Sequence, residues 1–350
     1  MRTKIVYVLV STDKDYYLEQ AYVSMYSLKK HNPNAHIVVL TDEDTYHNIL
    51  NNCRREIFAS FIDEWKCISF SKDISNKERS RWLKTSLRNI LNGDLLFVDT
   101  DTIICGDLSE IDKLESELAI TLDLHIPLSS HPFRKHIANN ILRMYGISIP
   151  EGTQYYNSGV IYMKDTDRCK DFFAQWHRNW KAVYTGAYGC FDQQPLIKTV
   201  IDLNGYVSDL PGDFNCQVLG SIQYLHTAKI VHFFNTQWCK TILSPLFDKE
   251  FYYSIKKNGG MNEDQRYIVD NCKSSIVSPS MPIGVEDMKL WNSSCFKYLR
   301  VIMESSIFGK MAYYALKTIY LMDRITNPGG VKSTCDIVFI QPSETERRAA

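Results

Sequence analysis

Asp99 and Asp101 stand two residues apart at the end of the apolar run in "LLFVDTDTII". An isolated carboxylate is costly to desolvate, so each charge needs a metal ion, a covalent chemistry or exposure at a strand end. Residues two apart on an extended chain point to one side, so both carboxylates can face a common cation. Two hard oxygen ligands suit Mn2+ or Mg2+ bridging a diphosphate, with further ligands from substrate or water. The chain has no GxGxxG and no GxxxxGK(S/T), the phosphate cradles of dinucleotide and P-loop proteins. Phosphate handling then falls to a metal. His232, in "KIVHFFN", reads either as a core histidine or as a third ligand, since imidazole joins carboxylates on Mn2+.

The elements that must position these residues follow from hydrophobic patterning. "KIVYVLVS", "HIVVLTD", "LLFVD" and "ELAITLD" are continuous apolar strands. Helical segments fall between the first three, at Tyr17 to Lys30, from about Asp44, and at Asn76 to Leu91, where "NGD" signals a turn. This alternation predicts a mostly parallel sheet covered on both faces. Ligands sit at the carboxyl ends of such strands. Three runs end there in polar residues: Ser11-Thr12-Asp13, Asp99-Thr100-Asp101, and Asp123. Further on, "YYNSGVIYMK" is a strand entered from a polar turn, helices span about Asp167 to Val183 and Phe191 to Leu203, and "IVHFFN" is a late strand.

With 350 residues, 45% of them apolar, the chain suits one large α/β domain with an appendage, or two medium domains. Lysine plus arginine equals aspartate plus glutamate, 40 each, so no overall field draws in nucleic acid. Ten scattered cysteines without a CxxC pair point to reduced thiols. The first apolar run, six residues long, is too short for a signal peptide or a membrane span. A bacterial-type cytoplasmic enzyme is expected.

Taken in order, four stretches resemble the family 8 glycosyltransferases, retaining enzymes of the GT-A fold. They are "VYVLVSTD" followed by "YVSMYSLKKHNP", then "LLFVDTD", "YYNSGVIYM" and "FDQQPL", with "IVHFF" where that family places a metal-binding histidine. The resemblance covers about residues 3 to 240. It implies a GT-A-type, Rossmann-like nucleotide-diphosphosugar transferase over 1–246, with a nucleotide-sugar half near 1–125 and an acceptor-side half near 126–246. A mainly helical region over 247–326 and a flexible tail over 327–350 would follow.

On that resemblance, Asp99, Asp101 and His232 would hold Mn2+ (or Mg2+) against the diphosphate of a UDP-sugar, with Thr100 a spacer within the donor-binding stretch. Val10, Ser11, Thr12 and Tyr16 would line the uracil and ribose pocket. Arg81 or Lys84 would reach the sugar or diphosphate. Asp123, Asn157 and the adjacent Ser158 would face the donor sugar, with Asp192 and Gln193 flanking the anomeric carbon. Either Asp192 or Gln193 attacks covalently, or the acceptor attacks on the face of departure. Asp192 also reads simply as the cap of a helix. After the histidine this chain departs from the family: "HFFNTQWCK" puts Asn235 and Trp238 at its usual glycine and lysine positions, leaving Lys240 as the candidate diphosphate-closing lysine. UDP-glucose or UDP-galactose is the donor implied, and a surface glycan such as capsule or lipopolysaccharide the acceptor.

Two other readings compete. "FVDTDTI" resembles the nucleophile loop of haloacid-dehalogenase-type phosphatases, with Asp99 attacking phosphate, but Ile103 replaces the usual Thr or Val and the motif follows three strands instead of opening the fold. A non-catalytic carbohydrate- or membrane-binding protein is the other. Lys310, Lys317 and Arg324 recur every seven residues in "FGKMAYYALKTIYLMDRI" and share one helix face. The segment from about 297 to 325 therefore reads either as packing against the catalytic domain or as resting on the inner, anionic face of a membrane.

Overall fold

A computed structural model describes residues 1–50, 58–184, 191–233, 244–276, 285–296, 298–299 and 307–326. The chain divides into two compact units, Met1–Ser275 and Ile276–Ala350.

The first unit opens with β1 (Lys4–Leu9), α1 (Tyr17–His31), β2 (Ile37–Asp42), α2 (Glu43–Leu50) and β3 (Glu64–Ile68). It continues with α3 (Asn76–Ile90), β4 (Leu95–Val98), β5 (Thr102–Ile104), β6 (Leu118–Leu122), α4 (Arg134–Tyr145) and β7 (Tyr156–Met163). Then come α5 (Asp167–Val183), α6 (Gln193–Asp202), β8 (Ser208–Asp209), β9 (Cys216–Gln217) and β10 (Ile230–His232). A seven-stranded sheet has the order β3-β2-β1-β4-β7-β6-β8, and a three-stranded sheet the order β5-β10-β9. In the large sheet only β7 runs against its neighbours, β4 and β6.

Strand alternation assigns the covering helices. Val6 belongs to one buried cluster with Leu83 and Leu87 of α3 and Phe172 and Trp176 of α5. Its neighbour Tyr7 points the other way, where its hydroxyl meets Ser24 Oγ of α1 at 2.9 Å. Both faces are thus covered, and β2, β4 and β7 are buried along their whole length. β3 has a half-buried pattern, "EWKCI", with no apolar run to announce it.

α7 (Lys249–Asn258) and α8 (Glu263–Asp270), which the sequence places in the C-terminal region, lie within the first unit. Phe251, Tyr252, Ile255 and Val269 are buried, and Lys256 Nζ donates to the Asp13 and Asp15 carbonyls at 2.6 and 2.9 Å. The short α9 (Cys272–Ile276) follows. The second unit contributes α10 (Val285–Asn292) and α11 (Phe308–Thr326). The sequence reads 297–325 as helical with a break near Gly309, and α11 begins beside that glycine, at Phe308. No helix among the described residues is long and apolar enough to cross a membrane. The expected tail, 327–350, lies outside the described residues.

Candidate active site

β1, β4 and β6 are parallel in direction, so Val10-Ser11-Thr12, Asp99 and Asp123 all emerge at one edge of the large sheet. Because β7 is antiparallel, its beginning lies at that same edge. This is why Asn157 and Ser158, near a strand's start, join residues at the ends of others.

Asp99 follows β4, and its backbone N–H donates to Gly159 O of β7 at 2.8 Å. Two residues on, the chain leaves the large sheet for β5, which pairs with β10 so that Thr102 sits opposite His232. Phe233 N–H donates to Asp101 O at 2.9 Å, closing the loop onto the end of β10. One ligand atom each from Asp99, Asp101 and His232 lies within 4.8 Å of the others. His232 Nε2 is 3.4 Å from Asp101 Oδ1. His232 is buried, whereas the Asp99 and Asp101 side chains are 29% and 21% exposed, open enough to meet a ligand. Burial pushes the Asp99 carboxyl up, more than Lys84 draws it down. For Asp101 the effect of burial is outweighed by His232, and its carboxyl is lowered. Two carboxylates and an imidazole, drawn from separate strands, fit a divalent cation of the Mn2+ type.

Arg81 and Lys84, three residues apart on α3, face the same side, and the structure uses both. Lys84 Nζ lies 3.2 and 3.1 Å from the two oxygens of Asp99 and 2.9 Å from Asp192 Oδ2. Arg81 Nε is 3.2 Å from Asp192 Oδ1. Ser158 Oγ donates to Asp192 Oδ2 at 2.9 Å. Burial would raise the Asp192 carboxyl, but Arg81 and Lys84 outweigh it and hold it well below the usual carboxylate range. Asp192 is the N-cap residue of α6, where the cap reading puts it, but its side chain makes no capping bond. It stays in place because Trp176 Nε1 donates to its carbonyl at 3.0 Å.

Asp123 sits on a turn in which Leu124 and His125 take φ of 54° and 60°, a region non-glycine residues rarely enter. Gln217, fully buried on β9, clamps that turn. Its Nε2 donates to Leu122 O at 2.9 Å and its Oε1 accepts from Leu124 N–H at 2.8 Å. Its own N–H donates to His125 Nε2 at 3.3 Å, and burial keeps that imidazole down at about 4 and hence neutral. Asp123 Oδ1 accepts from Asn157 Nδ2 and Gln193 Nε2, each at 3.0 Å, and Oδ2 lies 3.0 Å from His131 Nε2.

Residues 7–238 match the family model of Glycosyl transferase family 8. The chain belongs to this family. Among solved structures, the bifunctional glycosyltransferase WbbM in its apo form is similar with a TM-score of 0.50 at 17% identity, over 76% of this chain and 51% of WbbM. The chain thus spans about half the length of WbbM. The galactosyltransferase LgtC, in complex with donor and acceptor sugar analogs, gives a TM-score of 0.46 at 15% identity, over 76% of this chain and 99% of LgtC. Apo mouse xyloside xylosyltransferase 1 gives 0.44 at 12% identity, over 66% of this chain and 97% of that one. Curated protein sequences gave no match. The fold is of the GT-A type, and the family sets aside a dehalogenase-type phosphatase.

In this family 8 glycosyltransferase the residues expected on the nucleotide side stand on the loop after β1. Asp15 organises that loop, accepting from Ser11 Oγ at 2.6 Å, Thr12 N–H at 2.8 Å and Tyr17 N–H at 3.2 Å. Lys256 of α7 stacks on the Tyr16 ring at 5.4 Å. Val10 and Ser11 are buried, while Thr100 is half-buried. Lys240, with Asn235 and Trp238, lies outside the described residues. The sequence reading passed over Asp15, His131, Asn215 and Gln217. Asp15 lay within the quoted "STDKD", and a polar side chain three residues after Thr12 is a turn signal that could have flagged it.

Proposed function

We propose that this glycosyltransferase is divalent-cation dependent. It moves a hexose from a UDP-sugar, UDP-glucose or UDP-galactose, to a glycan or lipid-linked saccharide with retention of configuration. The observation that carries this is the close approach of Asp99, Asp101 and His232 beside the Lys84–Asp192 pair. Asp99, Asp101 and His232 would hold Mn2+, with Mg2+ as a second choice. Bound there, the cation supplies the Lewis acidity that stabilises charge on a departing diphosphate.

The protein's own groups do the rest. Lys84 places a fixed positive charge beside Asp99, where the diphosphate would lie, so leaving-group charge meets a preorganised partner. The loop fixed by Asp15 would receive the nucleoside through Val10, Ser11, Thr12 and Tyr16. Asp123, held by Asn157, Gln193 and His131, would accept from donor-sugar hydroxyls. Both oxygens of Asp192 are engaged by Arg81, Lys84 and Ser158. That favours Asp192 as a positioning group, and attack by the acceptor on the face of departure over a glycosyl-Asp192 intermediate.

The deciding measurement is UDP release from a panel of UDP-sugars with and without Mn2+. Wild type should release UDP only with the cation, and Asp101→Ala should lose about 10²-fold or more in kcat/KM. Metal-independent release, or an unaffected variant, would overturn the metal reading. No release at all would favour a binding protein that keeps the fold.

Surface-polysaccharide or lipopolysaccharide synthesis at the inner membrane face is the setting proposed, on the strength of α11. Phe308, Met311, Ala315, Ile319 and Met322 recur at three- and four-residue steps on the face opposite Lys310, Lys317 and Arg324. Phe308 and Met311 are both 64% exposed, and Ile319 and Met322 both 62%. Full-length protein should float with anionic vesicles, less so at high salt, while a chain truncated before Lys297 should not. Equal flotation of both would remove this part of the proposal.

A further inference from the structure

Hydrogen-bond direction around β7 and β9 fixes more of the metal site than its three ligands. Gly159 N–H is a backbone donor, and it points at Asn157 Oδ1 at 3.0 Å. Only the carbonyl oxygen of an amide side chain can accept it, so the Asn157 amide has one orientation. Its Nδ2 must then face Asp123 Oδ1, as observed at 3.0 Å. Asn215, with no exposed surface, lies 3.1 Å from the same Asn157 Oδ1. An acceptor there demands that Asn215 present its Nδ2. Asn215 Oδ1 is thereby turned to His232 Nδ1, 2.9 Å away. An acceptor at that distance requires a proton on Nδ1, so in the neutral imidazole it is Nε2 that carries the lone pair, 3.4 Å from Asp101 Oδ1. In that neutral form two acceptors face each other, and a shared cation would satisfy both.

We propose that Asn215 is a positioning residue that sets the tautomer of His232, presenting Nε2 as a metal ligand, and that couples this ligand to Asp123 through Asn157. The proposal rests on the metal reading of Asp99, Asp101 and His232 and extends it by one residue. A histidine ligand whose second nitrogen donates to a fixed acceptor gains orientation and basicity, and loss of that partner commonly weakens metal binding 10- to 100-fold. The short stretch Asn215–Gln217 thus serves both ends of the site. Asn215 orients His232 and Asn157, and Gln217 clamps the turn that carries Asp123.

The test uses full-length protein labelled with 15N-histidine, stripped of metal by a chelator, with the His232 signals assigned by their loss in His232→Gln. At a pH where His232 is neutral, the wild type should show the proton on Nδ1. Asn215→Leu should mix the tautomers and weaken Mn2+ binding, measured by electron paramagnetic resonance of free Mn2+, by 10- to 100-fold. Asn215→Asp keeps an acceptor for Nδ1–H but not the donor to Asn157. It should retain the tautomer and most Mn2+ affinity while kcat falls, because Asn157 and Asp123 lose their alignment. A neutral wild-type His232 protonated on Nε2 would overturn the proposal without any variant. So would an Asn215→Leu protein with unchanged tautomer and unchanged Mn2+ affinity, whatever its melting temperature. Failure of the wild type to bind Mn2+ at all would instead sink the metal reading, and the tautomer result would still decide the role of Asn215.

Discussion

Lys84→Met is expected to lower kcat by about 10²- to 10³-fold, the loss typical when one preorganised charge partner is removed from a developing negative charge. The effect should be this large because Lys84 serves two carboxylates at once. Its side chain is 4% exposed, and its Nζ lies within 3.2 Å of both oxygens of Asp99 and 2.9 Å from Asp192. Methionine fills similar space but leaves both carboxylates short of a countercharge. Breaking a buried ion pair from one side costs about 3–5 kcal/mol, and the lower end applies because Arg81 stays on Asp192 and Asp99 is partly open. Thermal unfolding should show the loss, and saturating Mn2+ should recover part of it by restoring charge beside Asp99. The pH dependence has a definite sign. Asp192 has a lowered carboxyl in the folded protein, so its contribution is present above the unfolded value of about 4 and fades as pH falls below it. The gap in Tm between wild type and variant should therefore narrow in acid. An unchanged kcat, or a gap that widens below about pH 4, would contradict this role.

What the sequence made legible follows burial. β1, β2, β4, β6 and β7 are apolar runs because they are buried on both faces, and their ends exposed Ser11, Asp99, Asp101 and Asp123 to inspection. β3 was not legible, since "EWKCI" is half-buried at the sheet edge and carries no apolar run. The strip 215–217 was still harder. β9 is two residues long, too short for any periodicity, and the buried amides of Asn215 and Gln217 read as loop residues until β10 is laid beside them. The choice between Arg81 and Lys84 could not be made from helical spacing, which puts both on one face. The fold gives Asp192 to both and Asp99 to Lys84. The buried-charge question posed by "LLFVDTDTII" has the same kind of answer. A lysine 15 residues earlier pairs with Asp99, and a histidine 131 residues later faces Asp101.

Gly159→Ala should disrupt the candidate metal site directly. A Cβ built there would lie 2.1 Å from His232 Cε1 and 2.6 Å from Nδ1, distances no packing tolerates. Neither neighbour can yield cheaply. Gly159 is in the middle of buried β7 and receives the Asp99 N–H on its carbonyl, while His232 is locked by β10 pairing and by Asn215. The imidazole must therefore swing or β7 must retreat, and either change separates Nε2 from Asp101. Overpacking of this kind costs about 1–3 kcal/mol in stability. The functional loss should exceed it, with Mn2+ affinity down about 10²-fold or more and kcat falling with it, because a displaced first ligand costs more than a lost outer partner. Gly106→Ala supplies the contrast, since its new methyl would meet Lys229 no closer than 3.6 Å, an ordinary contact. Titration of both variants with Mn2+ by calorimetry separates the cases. If Gly159→Ala bound Mn2+ like Gly106→Ala, His232 would have to ligate from some other position, and the closeness of β7 to the metal histidine would have no part in building the site.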